Sequence, residues 1–361
     1  MAIRWFLPDL VFALSLALYG VFTAGAAVPA VFIFGDSTAD VGTNTHLPDC
    51  KARSDFPHNG IDFPRSRPTG RFSNGLNSAD FLAKLFGFRR SPPSYLSLAN
   101  RTRLLDIYMS RGINFASGGS GILGSTGRLE KVMTLGEQVE QLGLVKSQLE
   151  EKMGEDSAAE FLAQSIFFVS TGSNDLFAYH YSNRSLPKDD FILNLGLAYE
   201  DHLKNLISIG ARKFGIIGVA PIGCCPSQRA QSATGGCLED LNDSAQAFYS
   251  NIDSTLQRLS SDYPGLKYSL GNAYEMTINV INNPTLAGFS EVKTACCGAG
   301  AFNGQGVCDR KANLCSDRNN HLFWDMYHPT QAASKVAAAT LYGGGAPFTT
   351  PINFSQLAMD N

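Results

Sequence analysis

Short apolar and β-branched runs alternate along the chain with longer stretches in which apolar residues return every three or four positions, the pattern of an α/β fold built on a parallel sheet. The runs Ala30 to Phe34, Gly112 to Ala116, Ile166 to Ser170, Phe214 to Val219 and Lys267 to Leu270 predict strands. Between them the helical period predicts helices near 136–152, 190–209, 241–261 and 331–342. Another starts at a cap on Asn77 or Ser78, repeats Phe81, Leu82 and Leu85 at helical spacing and stops at Gly87. The last helix is alanine-rich and follows Pro329, whose fixed φ suits a first turn. No repeat, low-complexity tract or interdomain linker interrupts the pattern, so one domain is expected.

Two stretches depart from this alternation. At the N-terminus, Arg4 supplies a positive charge, Leu10 to Ala24 is almost unbroken apolar, and Ala24-Gly-Ala-Ala27 supplies small residues. That order predicts a cleaved secretory signal over residues 1–26 and a mature domain over 27–361. The run is shorter than the ~20 residues that span a bilayer, Asp9 blocks its extension, and no second stretch reaches spanning length, so no stable membrane span is expected. The second exception, residues 44–74, is rich in Pro, Gly, Ser and Asn and shows neither period. It leaves the end of the first strand, where open parallel sheets place their ligands, and is read as a wall of a binding cleft, with residues 120–135 and 296–315 as further walls.

Composition narrows the function classes. A 361-residue chain that is 44% hydrophobic is not disordered. With 29 basic against 32 acidic residues, a net charge of −3 and no Lys/Arg run, nucleic acid is not an expected partner. A secretory route makes disulfides the natural reading of the eight cysteines, and no C-x-x-C pair exists to begin a zinc site. All but Cys50 fall between 224 and 315, so bridges should staple the C-terminal half; their connectivity is open. Sequons at Asn100, Asn183, Asn242 and Asn353 fit glycosylation in the extracellular space or cell wall.

The first strand runs into Gly35-Asp-Ser-Thr38, which puts Ser37 in a turn at its carboxyl end, where an α/β enzyme displays a nucleophile. A serine hydroxyl needs a base within hydrogen-bond reach and a partner that orients the base. Among six histidines, both Asp55-Phe-Pro-His58 and Asp325-Met-Tyr-His328 offer such a pair, and spacing does not choose between them. His328 is the better supported, between Phe323-Trp324 and a helix start, although Asp325 could equally be a simple helix-entry cap. Acyl transfer also needs donors for an oxyanion. Ser117-Gly-Gly-Ser-Gly121 and Thr171-Gly-Ser-Asn-Asp175, each after a predicted strand, supply backbone N–H groups and the Asn174 carboxamide. Neither loop has the lysine of a phosphate loop or dinucleotide glycine spacing, and H-E-x-x-H is absent, so no cofactor or metal is expected.

Taken together, Phe32-Ile-Phe-Gly-Asp-Ser37 with Asp40 and Gly42, Gly70-Arg-Phe-Ser-Asn-Gly75, Ile113-Asn-Phe-Ala-Ser-Gly118, Gly172-Ser-Asn-Asp175 and Phe323-Trp-Asp-Met-Tyr-His-Pro-Thr330 resemble the plant-type GDSL esterase/lipase family of the SGNH hydrolase superfamily over nearly the whole mature chain. The resemblance implies a three-layer α/β/α, flavodoxin-like fold with a central, mostly five-stranded parallel sheet. It implies Ser37 as nucleophile, His328 as base and then acid, and Asp325 as the residue that orients the imidazole. The implied oxyanion donors are the Ser37 and Gly118 amides and the Asn174 side chain, which leaves His58 as an ordinary loop histidine. Thr38 and Thr43 depart from the Leu and Asn usual in the family, and Ala39 rules out a G-x-S-x-G elbow. The expected function is a secreted serine esterase or lipase acting on a lipid, cutin- or wax-type ester or an acetylated polysaccharide. An acyltransferase using the same nucleophile, or a silent secreted binding protein, are the alternatives.

Overall fold

A computed structural model of the chain describes residues 28–359; the signal segment 1–26 lies outside the described residues. Strands β1 (Val31–Gly35), β2 (Ile166–Ser170), β3 (Lys213–Ile217) and β4 (Lys267–Gly271) pair in parallel and in that order. A two-stranded ribbon, β5 (Cys297–Gly298) and β6 (Asn313–Leu314), stands apart, and β7 (Thr349–Thr350) closes the main sheet antiparallel to β4. The principal helices are α1 (Ser78–Leu85), α2 (Leu135–Met153), α3 (Ser173–Tyr181), α4 (Lys188–Ile209), α5 (Glu239–Asp262), α6 (Ala273–Asn282), α7 (Gln331–Gly343) and α8 (Phe354–Met359).

Alternation along each strand sends residues to two faces. Phe32, Phe167, Phe214 and Tyr268 are register neighbours on one face. The Phe32 and Phe167 rings lie 5.3 Å apart and those of Phe167 and Phe214 6.0 Å apart. α2, α4 and α5 cover this row with Leu142, Leu203 and Phe248, all buried. On the opposite face Ile33 and Phe168 meet Leu82 of α1, Leu341 of α7 and Phe354 of α8. The result is the expected α/β/α sandwich.

Local signals set the helix starts. Asn77 Oδ1 accepts from the Asp80 N–H at 3.2 Å while Asp80 Oδ2 accepts from the Asn77 N–H at 2.9 Å, a capping box for α1. Thr330, not Pro329, begins α7, with Oγ1 accepting from the Ala333 N–H at 3.1 Å. α3 and α6 were not expected from the period.

The predicted strand Gly112 to Ala116 is not one. Ile33 N–H donates to Ile113 O at 3.0 Å, and the N–H groups of Phe115 and Ser117 donate to Ile33 O at 2.7 Å and Gly35 O at 3.0 Å, but Gly35 gives its own N–H to Gln138 and only an isolated bridge at Asn114 results. Asn114 turns its own N–H to Pro93 O at 2.9 Å, and its side chain ties Ala39 O and the Ala116 N–H, so the segment leaves the sheet for the loop at 117–121. The fifth strand is β7 instead.

Bridges join Cys224 to Cys237, Cys296 to Cys315 and Cys297 to Cys308, all in the C-terminal part as expected, whereas Cys50 and Cys225 are free and buried. Asn100 and Asn183 are exposed and Asn353 half-buried. Asn242 is 1% exposed, accepting from the Gly223 N–H at 3.0 Å and donating to Glu239 Oε2 at 3.0 Å, so the folded chain has no room for a glycan there. Among the described residues no helix is long and apolar enough to cross a membrane.

Candidate functional site

The turn after β1 is locked before Ser37 is reached. Gly35 has φ +136, and a Cβ there would collide with the Ser170 carbonyl, so only glycine fits. Its N–H donates to Gln138 Oε1 at 2.9 Å and its carbonyl accepts from Gln138 Nε2 at 3.0 Å. The buried Asp36 carboxylate accepts from the Thr38 N–H at 3.0 Å and the Thr38 hydroxyl at 2.8 Å, folding the chain tightly about Ser37. Burial pushes the Asp36 carboxyl above its ordinary range, against the pull of those bonds and of His328.

Asp325 and His328 lie on a second tight turn. Asp325 Oδ1 accepts from the N–H groups of Tyr327 and His328, both at 2.9 Å, and Trp324 N–H closes the turn on His328 O at 2.7 Å. The imidazole Nδ1 stands 2.8 and 2.9 Å from the two Asp325 oxygens, and Nε2 stands 2.8 Å from Ser37 Oγ. A carboxylate only accepts, so the ring proton belongs on Nδ1 and Nε2 is free to accept from the serine hydroxyl. Burial works to lower the His328 pKa, but the negative charges of Asp325 and Asp36 and the Asp325 bond outweigh it, and the net shift is upward. For Asp325 burial works to raise the pKa, and His328 with the turn N–H groups outweighs it, leaving the carboxyl below its ordinary range.

The long loop braces this turn from outside. Asn59 Oδ1 accepts from the buried Trp324 Nε1–H at 2.9 Å. Asp62 pairs with Arg318 at 2.6 Å, and Asn74 Oδ1 caps Gln331 N–H at 2.7 Å. From inside, Cys296 and Cys297 N–H donate to Phe323 O at 3.0 Å and Trp324 O at 2.7 Å. The cysteine-rich segment is thus a buttress packed on Trp324, and none of 296–315 lines the cleft, contrary to expectation. Residues 44–74 and 120–135 do contribute, through Ala52, Phe72, Thr126, Gly127 and Glu130. His58 has no part in the Ser37 constellation, and its neighbour Asp55 is ion-paired with Arg53.

Of the expected oxyanion donors, Gly118 is misplaced. Its N–H donates to Asp40 Oδ2 at 2.9 Å, while Asp40 Oδ1 takes the Gly42 and Thr43 N–H groups, each at 2.7 Å. Burial pushes the Asp40 carboxyl up to about 6. The next residue, Gly119, with φ +86, lines the cleft beside Ser37 and Asn174. Among the described residues the N–H groups of Ser37 and Gly119 have no hydrogen-bond partner. Asn174 spends one amide hydrogen on Ser120 O at 2.8 Å and keeps the other. The Gly118 N–H, expected as a donor, is thus spent on the buried Asp40, three residues beyond Ser37, and the adjacent Gly119 N–H is the unspent one.

Residues 31–341 match the model of the GDSL-like lipase/acylhydrolase family. The chain belongs to that family. GDSL esterase/lipase At5g55050 of Arabidopsis thaliana is 38% identical over 342 residues, covering 92% of this chain and 90% of that protein. GDSL esterase/lipase At4g28780 of the same plant is 34% identical over 358 residues, 97% of this chain and 96% of its own length. As a member of the GDSL family, the protein is a carboxylic ester hydrolase with the mixed α/β fold and mostly parallel five-stranded sheet described above.

Proposed function

We propose that the protein is a secreted serine esterase or lipase in which Ser37, His328 and Asp325 act as a triad. The observation that carries this reading is the unbroken chain from Ser37 Oγ through the imidazole to Asp325, with contacts of 2.8 Å on each side of the ring. Ser37 Oγ attacks the ester carbonyl carbon as His328 Nε2 takes its proton; Asp325 holds the Nδ1–H tautomer and stabilises the imidazolium. The carbonyl oxygen becomes an oxyanion facing the free N–H groups of Ser37, Gly119 and Asn174. Collapse breaks the C–O bond, His328 gives its proton to the departing alcohol, and water repeats the sequence on the acyl-enzyme to release the acid and restore Ser37.

The charged, apolar and small segments of residues 1–26, followed by a domain over 27–361 with three disulfides, support export to the extracellular space or cell wall. Ser37→Ala tests the chemistry. Turnover of p-nitrophenyl acetate should fall by about 10⁴-fold or more with the melting temperature held, by the precedent of serine hydrolases stripped of their nucleophile. A variant that retains wild-type turnover contradicts the assignment.

A further inference from the structure

Residues 117–126, which carry Gly119 and its unspent N–H, form a loop with no strand or helix of their own to fix them. Two buried carboxylates hold this loop, one on each side of Gly119. Asp40, anchored in the turn after β1 by the N–H groups of Gly42 and Thr43, accepts from the Gly118 N–H at 2.9 Å. Asp175, the residue after Asn174 on α3, accepts from the Ile122 N–H at 2.8 Å through Oδ2. Its Oδ1 takes the Leu123 N–H at 3.0 Å and the Thr126 hydroxyl at 2.7 Å. Gly121 permits this approach, because a Cβ there would stand 2.5 Å from Oδ1. The segments that carry Ser37 and Asn174 thus each supply a carboxylate to the loop that carries the donor between them.

Every one of these partners is a neutral N–H or O–H group, so no cation among them offsets the cost of taking the charges out of water. Burial is the largest influence on both carboxyls and pushes each up to about 6. What a carboxylate offers in return is two acceptor oxygens and no donor. Asparagine has one oxygen, and its NH2 would confront an N–H at the other position. Oxyanion donors must stand in place before the charge forms, and a misplacement of about 1 Å costs on the order of a hundredfold in rate.

We propose that Asp40 and Asp175 are positioning residues, which together hold the loop so that the Gly119 N–H meets the oxyanion beside the Ser37 N–H and the Asn174 side chain. This rests on the reading of Ser37 as nucleophile. The probe is a trifluoromethyl ketone: Ser37 Oγ bonds to its carbonyl carbon, the C=O electron pair moves to oxygen, and the Oγ proton passes to His328. The hemiketal oxyanion left behind stands in for the transition state. The mature protein is compared with Asp40→Asn, Asp175→Asn and Thr126→Val, the last removing a single donor from Asp175. Both aspartate variants should lose kcat on p-nitrophenyl acetate and ketone affinity in parallel, by about ten- to a hundredfold, with KM held within about threefold. Thr126→Val should move both in the same direction by about threefold. A merely structural role would leave the ketone affinity alone, since a smaller folded fraction lowers the number of sites that titrate and not the affinity of each.

A folded aspartate variant with wild-type ketone affinity overturns the proposal, as does a loss that falls on KM alone. The wild type supplies a second readout that no folding defect can spoil. With label at glycine nitrogen, the NMR signal of the Gly119 amide should shift on hemiketal formation by more than that of Gly118, whose bond to Asp40 is already made. A larger shift at Gly118 overturns the proposal. A wild type that forms no hemiketal, or a Ser37→Ala variant that keeps its turnover, overturns the reading of Ser37 instead.

Discussion

The two faces of the central sheet come from the same strands and treat the space above them in opposite ways. On the first, Phe32, Phe167, Phe214 and Tyr268 cross four strands in register under three long helices. On the second, Phe168 has Gly215 and then Ser269 as register neighbours, Phe354 packs over Gly215 in a smaller core, and beside that core, where α7 presents alanines, a cavity of ≈ 840 Å³ opens near the carboxyl ends of the strands. A close-packed layer holds the backbone rigid, and rigidity there lets the turns that carry Ser37 and His328 border an unfilled volume without collapsing into it. Most of the close packing thus lies on one face, and the cleft opens on the other beside a smaller core.

That division can be broken from either side. The largest expected effect on folding lies on the filled face: Phe167→Ala should cost about 3–5 kcal/mol in urea unfolding, because rings 5.3 and 6.0 Å away cannot close the gap. Turnover well below the melting temperature should hold. Next comes Asn174→Ala, which should lower kcat by about 10²–10³ by removing one oxyanion donor, with stability nearly unchanged, since the residue's work is at the cleft. Smallest is Val336→Ala on the hollow face, expected to cost under about 1 kcal/mol because its side chain borders space that is already empty. A Val336→Ala loss that matches Phe167→Ala would erase the contrast between the faces.

Much of the filled face was legible in the sequence, because strands β1 to β4 and helices α2, α4 and α5 bury continuous or periodic apolar sets and periodicity reports burial. The segment 112–116 reads the same way yet forms only isolated bridges, since Gly35 gives its N–H to Gln138 and the Asn114 side chain takes the Ala116 N–H, and composition registers neither. The pair Asp325 and His328 was visible as a spacing, but so was Asp55 with His58; only the folded turn shows that Asp55 belongs to Arg53. Gly118 and Gly119 are indistinguishable as residue types and differ in where one N–H points, a fact fixed by the distant Asp40. The cavity was the least legible feature. α6 and α7 carry ordinary amphipathic stripes, and no pattern in a single helix tells whether its apolar face meets a partner or a void.

The central claim is that His328, poised by Asp325, is the base for Ser37, and the pH dependence of kcat/KM tests it most directly. Only neutral Nε2 can accept the proton. Because Asp325 and Asp36 outweigh burial and raise the His328 pKa above its ordinary 6.5, activity should fall as the pH drops through a midpoint above that value. In Asp325→Asn the larger of the two raising charges is gone while burial remains, so the midpoint should move to lower pH and kcat should drop by about 10⁴-fold as the tautomer is lost. Wild-type activity that persists undiminished to pH 4, or a midpoint that Asp325→Asn leaves in place, would contradict the account.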